Sequence, residues 1–130
     1  MLVNNNHKNN KVLLIEHDAI ISFSIKENLN KMGYEVIAFN SIKKAISYLI
    51  ENSNKINVII VNIDSCEECK LIFSAIWQIN ENIPIINMNS TINACENLNC
   101  FPNHLIGYLK KPFIENELAE IIEKLVTLNS

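Results

Sequence analysis

Short, continuous apolar runs alternate along the chain with longer stretches in which apolar residues recur every third or fourth position. Val12-Leu13-Leu14-Ile15 is such a run, the pattern of a strand buried on both faces. From about Asp18 to Met32, Ile21, Ile25 and Leu29 recur at i, i+4 and i+8, which predicts a helix, and Gly33 supplies its stop. Glu35 to Phe39 reads as a second strand. Ser41 is placed to cap a helix carrying Ile42, Ala45, Ile46, Leu49 and Ile50. Val58-Ile59-Ile60-Val61 is a third strand, followed by a helix from about Cys66 to Asn80 with Ile72, Ile76 and Ile79 on one face. Pro84-Ile85-Ile86 opens a fourth strand. Residues 91–101 form a helix poor in apolar positions, stopped by Pro102. Ile106 to Leu109 is a short fifth strand, and Phe113 to Leu128 a last helix with Ile114, Leu118, Ile121, Leu125 and Leu128 as its core stripe.

Five strand–helix units in succession predict an α/β fold with a parallel sheet covered on both faces. The expected architecture is a flavodoxin-like (βα)5 three-layer sandwich, its five-stranded sheet in the order 2-1-3-4-5. Residues 1–10, polar and Asn-rich, read as a disordered tail, and 11–130 as one domain.

Composition narrows the function more than the fold. With 130 residues, 48% of them apolar and 19% charged, the chain is long enough for one real core. A net charge of −3 and the complete absence of arginine argue against a nucleic-acid surface. No apolar run reaches the length of a membrane span, and the Met1-Leu2-Val3-Asn4 start has no apolar core of a secretion signal, so the expected location is cytoplasmic. Of 14 acids only two, Asp18 and Asp64, are aspartates.

In a sheet of this kind, ligands bind beyond the carboxyl ends of the strands, where the strand order reverses, here between strands 1 and 3. The residues placed there are Glu16-His17-Asp18 after strand 1 and Asn62-Ile63-Asp64 after strand 3. Asn89-Ser90-Thr91 lies beyond strand 4, and Lys110-Lys111-Pro112 follows strand 5. A crevice that is acidic and amide-rich on one side, with a lysine entering from strand 5, repels a nucleotide phosphate and lacks the glycine-rich turn that would cradle one.

These residues resemble, in order and at similar spacing, the response-regulator receiver domain of bacterial two-component signalling. The resemblance covers about residues 11–128. It is carried by Lys11-Val12-Leu13-Leu14-Ile15-Glu16-His17-Asp18, Met32-Gly33-Tyr34-Glu35-Val36, the run Asn57 to Asn62, Ile83-Pro84-Ile85-Ile86 and, most closely, Gly107-Tyr108-Leu109-Lys110-Lys111-Pro112-Phe113. It implies a carboxylate nucleophile that takes a phosphoryl group from a phosphohistidine, a Mg²⁺ ion held by carboxylates, a lysine on the phosphoryl oxygens, and two switch residues. Carried over by position, the acidic pocket falls on Glu16 and His17, the phosphoacceptor on Asn62, the switch on Asn89 and Tyr108, and the phosphate lysine on Lys111. Lys111–Pro112 resembles the family's lysine–proline bond, typically cis, which would place that lysine.

The departures at His17, Asn62 and Asn89 change the expected chemistry. An asparagine amide does not accept a phosphoryl group, and Glu16 with an amide and an imidazole makes a poor Mg²⁺ site. No cofactor is expected, Mg²⁺ binding is weak or absent, and no enzyme activity is expected. Lys111 would then pair with Glu16. Asp64, two residues past Asn62, is the substitute acceptor in an alternative reading and a solvated loop acid otherwise, while Asp18 is the expected cap of the first helix. Glu16, His17 and Asn62 suit a borderline ion better than Mg²⁺. Cys66, Cys69, Cys95 and Cys100 can meet on the site face as a metal or redox site, though their spacing fits zinc patterns poorly and free thiols are the simpler reading. The expected role is a receiver-like module acting by protein–protein interaction, its partner a histidine kinase or an output protein. A homodimer through the strand 5 face, marked by Tyr108 and Lys110 and flanked by the fourth and fifth helices, is a further expectation. The chain is read as a stand-alone receiver or the N-terminal piece of a longer protein.

Overall fold

The computed structural model describes residues 10–62, 66–88, 106–108, 120 and 122–124, with backbone alone at 66–70 and 106–108. Its elements are β1 (Lys11–Ile15), α1 (Ala19–Lys31), β2 (Glu35–Phe39), α2 (Ile42–Asn52), β3 (Val58–Val61), α3 (Cys66–Ile79), β4 (Ile85–Asn87) and β5 (Ile106–Tyr108). A single 3₁₀ turn, Ser53–Lys55, which the apolar pattern does not show, joins α2 to β3. The strands β2-β1-β3-β4 lie side by side and parallel in that order, with the backbone of β5 running parallel beside β4. The expected helix over 91–101 lies outside the described residues. Of the last helix, 120 and 122–124 are helical.

Alternation along β1 divides the core into two layers. Leu13 and Ile15 pack with Ala45 and Leu49 of α2 and with Ile72, Phe73 and Ile76 of α3. Val12 and Leu14 face the other way, onto Ile25 and Leu29 of α1 and Ile122 of the last helix. Successive side chains of a strand point to opposite faces, so a continuous apolar run is what a sheet covered on both sides demands. Each fully buried leucine or isoleucine contributes about 2 kcal/mol of transfer free energy to this sandwich.

The helix ends follow local chemistry. Asp18 caps α1 as expected, its Oδ1 accepting from the backbone N–H of Ile20 (2.9 Å) and Ile21 (3.1 Å). Ser41 Oγ accepts from Lys44 N–H at the start of α2. After α1, Gly33 adopts φ 95°, a left-handed conformation that any side chain would resist, and the N–H of Tyr34 reaches back to Leu29 O. One expectation fails: Ile50 is 65% exposed and does not join the α2 core face.

At the amino ends of the strands, polar groups tie distant segments together. Lys11 N–H donates to Asn57 Oδ1 at 2.7 Å, and Glu35 N–H to Asn10 O at 3.1 Å. Tyr34, buried, donates its hydroxyl to Glu123 of the last helix at 2.6 Å. Burial raises the Tyr34 phenol well above its usual range, and the Glu123 carboxylate raises it further, first as acceptor and then as a nearby negative charge.

Candidate functional site

Backbone hydrogen bonds across the carboxyl ends of the strands hold the site loops in place. Glu16 N–H donates to Phe39 O (3.0 Å), Asn62 N–H to Ile15 O (3.1 Å) and Met88 N–H to Val61 O (2.9 Å). They continue the register in which Ile15 lies opposite Phe39 on one side and Val61 on the other. Glu16 and Asn62, each one residue past its strand, are thereby set side by side.

The Glu16 side chain is wholly buried. Its Oε1 accepts from Asn62 Nδ2 at 2.7 Å and its Oε2 from Asp18 N–H at 3.1 Å. His17 Nδ1 is 3.9 Å from Oε2, on a ring that is largely exposed. The direction of the Asn62 amide follows from its partner. A carboxylate only accepts, so the amide must present its NH₂ group to it. A buried carboxylate is tolerable where it is hydrogen-bonded, and donors to a charged acceptor make the stronger bonds.

Among the described residues, this geometry offers a hard divalent cation one carboxylate. Such an ion takes oxygen ligands; among the described residues each Glu16 oxygen already accepts one N–H group, and the neighbouring amide turns its nitrogen toward the carboxylate. His17 adds a nitrogen, not a further oxygen. No group of three or more His, Cys, Asp or Glu side chains comes together among the described residues.

The structure thus brings together Glu16 and Asn62, with His17 at the rim. Asp64, Asn89, Lys111, Cys95 and Cys100 lie outside the described residues, and so does the expected Lys111–Glu16 pair. Cys66 and Cys69 fall on the first turn of α3, and Tyr108 ends β5 opposite Asn87 in the register; these three are placed by backbone alone. Asn87, fully buried at the end of β4, was not singled out from the sequence. The signal was present as one amide in the apolar run Ile85-Ile86-Asn87-Met88. No buried side-chain nitrogen or oxygen among the described residues lacks a hydrogen-bond partner.

On the other flank of β1, a groove of about 460 Å³ opens between α1 and the outer edge of the sheet at β2. Ala19, Ser22, Phe23 and Lys26 line it from α1, Phe39 and Asn40 from the end of β2, and Lys44 from the first turn of α2. Spacing of i, i+3, i+4 and i+7 along α1 marks this stripe in the sequence, but its residues are not apolar enough to read as a core face.

Comparison with known proteins places this arrangement. No protein-family model matches the chain. A transcriptional regulatory protein of Bacillus subtilis is 28% identical over 88% of the chain and 49% of its own length. A two-component response regulator-like protein of Arabidopsis thaliana is 31% identical over 85% of the chain and 24% of its own length. The chain therefore spans about half of the first relative and a quarter of the second. Among solved structures, a response regulator receiver protein from Sinorhizobium medicae superposes with a TM-score of 0.77 at 22% identity, covering 93% of this chain and 97% of that one. No helix among the described residues is long and apolar enough to cross a membrane. The parallel order β2-β1-β3-β4, the two-faced core and these likenesses converge: the chain has the CheY-like fold of response-regulator receiver domains.

Proposed function

We propose that the chain is a receiver-like module of two-component signalling that works through protein contacts without phosphorylation of an aspartate. One observation carries this reading: at the end of β3, where the resemblance puts the phosphoacceptor, Asn62 donates its amide to the buried Glu16 carboxylate at 2.7 Å. A phosphoacceptor is a nucleophile whose free carboxylate oxygen attacks phosphorus and becomes an acyl phosphate. An amide nitrogen has its lone pair delocalised into the carbonyl, and this one is also committed as a donor. The same hydrogen bond gives the buried Glu16 carboxylate a donor at the position where the resemblance implies a second carboxylate. The crevice is then balanced internally, and its conformation does not depend on a metal or a phosphoryl group. The partner is a kinase or output protein that reads this fixed surface.

The test is intact-mass spectrometry of the protein after incubation with Mg²⁺ and acetyl phosphate. No mass gain is expected for the native chain, whereas Asn62→Asp gains one phosphoryl group that hydroxylamine removes. A hydroxylamine-sensitive gain on the native chain that Asp64→Asn abolishes would overturn the reading in favour of Asp64 as acceptor.

A further inference from the structure

The groove between α1 and the β2 edge meets the crevice at Glu16 and His17 and extends away from Asn62, gathering two lysines and two phenylalanines. Its volume, about 460 Å³, lies within the range of small-molecule sites, roughly 300–1,000 Å³. Two lysines reach it from different elements, Lys26 from α1 and Lys44 from α2. Neither has an acidic partner among the described residues, in a chain whose net charge is −3. The one acid that lines the groove is Glu16, and its carboxylate is buried and already accepts from Asn62 and Asp18. The accessible charge in the groove is therefore positive. Phe23, a large apolar side chain left 65% exposed, forms part of the wall, and Phe39 forms another part. An exposed aromatic side chain and two lysines that share one groove offer a ligand both a ring surface and positive charge.

We propose that this groove binds a small aromatic anion, an aryl phosphate or aryl carboxylate, whose charge pairs with Lys26 and Lys44 and whose ring lies against Phe23. Ser22 and Asn40, also in the lining, are the hydrogen-bonding groups that would orient it. The inference does not rest on the phosphoacceptor position: the groove shares Glu16 and His17 with the crevice, but its lysines and phenylalanines lie on the β2 side of β1 and Asn62 on the β3 side.

The experiment is a titration of the ¹⁵N-labelled protein with phenyl phosphate, followed by amide chemical shifts, with inorganic phosphate and benzyl alcohol as parallel arms. The expected result is saturable, millimolar binding of phenyl phosphate, with shifts confined to residues 16–26 and 38–44 and the Asn62 amide unmoved. The double variant Lys26→Gln, Lys44→Gln keeps its native spectrum, both lysines being exposed, and loses at least about tenfold in affinity, which is about 1.4 kcal/mol. Phe23→Ser weakens phenyl phosphate without creating an inorganic phosphate site. The proposal is overturned by shifts scattered over the surface or centred on Asn62, by a double variant that binds as tightly as the native chain, or by either parallel arm binding as well as phenyl phosphate.

Discussion

The two ends of the β1–β3 pair are fastened by the same residue type at the same separation, and they are fastened in opposite senses. At the amino end, Asn57 accepts from the backbone N–H of Lys11; at the carboxyl end, Asn62 donates to the carboxylate of Glu16. Both bonds are 2.7 Å long and both join residues 46 positions apart. The first satisfies a neutral backbone donor at the start of a strand. The second compensates a buried charge. One end is therefore ordinary strand anchoring, and the other holds the buried Glu16 carboxylate together with the buried amide of Asn87. A side chain's name does not tell which of these it does; the partner does.

The sharpest way to break this comparison is to make one substitution at both ends. Asn62→Asp replaces a donor by a second carboxylate beside Glu16 and is expected to cost about 3 kcal/mol in chelator. Added Mg²⁺ restores part of the loss, because two carboxylates now offer a cation what one did not. Urea unfolding with and without Mg²⁺ measures both effects. A smaller effect is expected at the amino end, where Tyr34→Phe removes the hydroxyl that reaches Glu123 and costs about 1 kcal/mol near neutral pH. Its pH dependence has a definite sign. The folded state holds the Tyr34 proton more tightly than the unfolded chain does, so this contribution is complete below about pH 10 and declines as the pH rises above it. In thermal melts taken across alkaline pH, Tyr34→Phe is expected to show a flatter loss of stability than the native chain. The smallest effect is expected for Asn57→Asp, which keeps an oxygen for Lys11 N–H and changes stability by about 0.5 kcal/mol or less. Equal costs at 57 and 62 would erase the distinction between the two ends.

Much of this was legible in the sequence, for identifiable reasons. Strands buried on both faces appear as unbroken apolar runs, and β1 and β3 fall on Lys11–Ile15 and Val58–Val61 as the pattern predicts; the edge strand β2, less buried, also falls on the expected Glu35–Phe39. Capping residues act locally, so Asp18 and Ser41 were readable from their immediate neighbours. Ile50 misled because it sits roughly 90° from the centre of the α2 stripe at about 100° per residue, the margin where an apolar residue faces either way. The pairing of Glu16 with Asn62 follows from placing strands 1 and 3 side by side, but the direction of the amide depends on contact geometry that spacing does not carry. The Tyr34–Glu123 bond joins residues 89 apart, and nothing local to either announces it. Of the groove beside β2, only Glu16 and His17 stand out in the sequence; the other lining residues are mostly exposed and leave no periodic apolar trace.

The central place of β1 has a consequence for how the chain folds as it leaves the ribosome. Val12 lies opposite Val36 on one side and Val58 on the other. Its second partner is synthesised 46 residues later, a wait of roughly 2 to 9 s at ordinary elongation rates of about 5–20 residues per second. Throughout that interval the Val-Leu-Leu-Ile run can be sheltered by α1 and β2 on one side only, leaving an apolar edge open. The nascent chain is thus most exposed to aggregation before β3 emerges, and the sheet grows from its β2 edge across β1 toward β3 and β4.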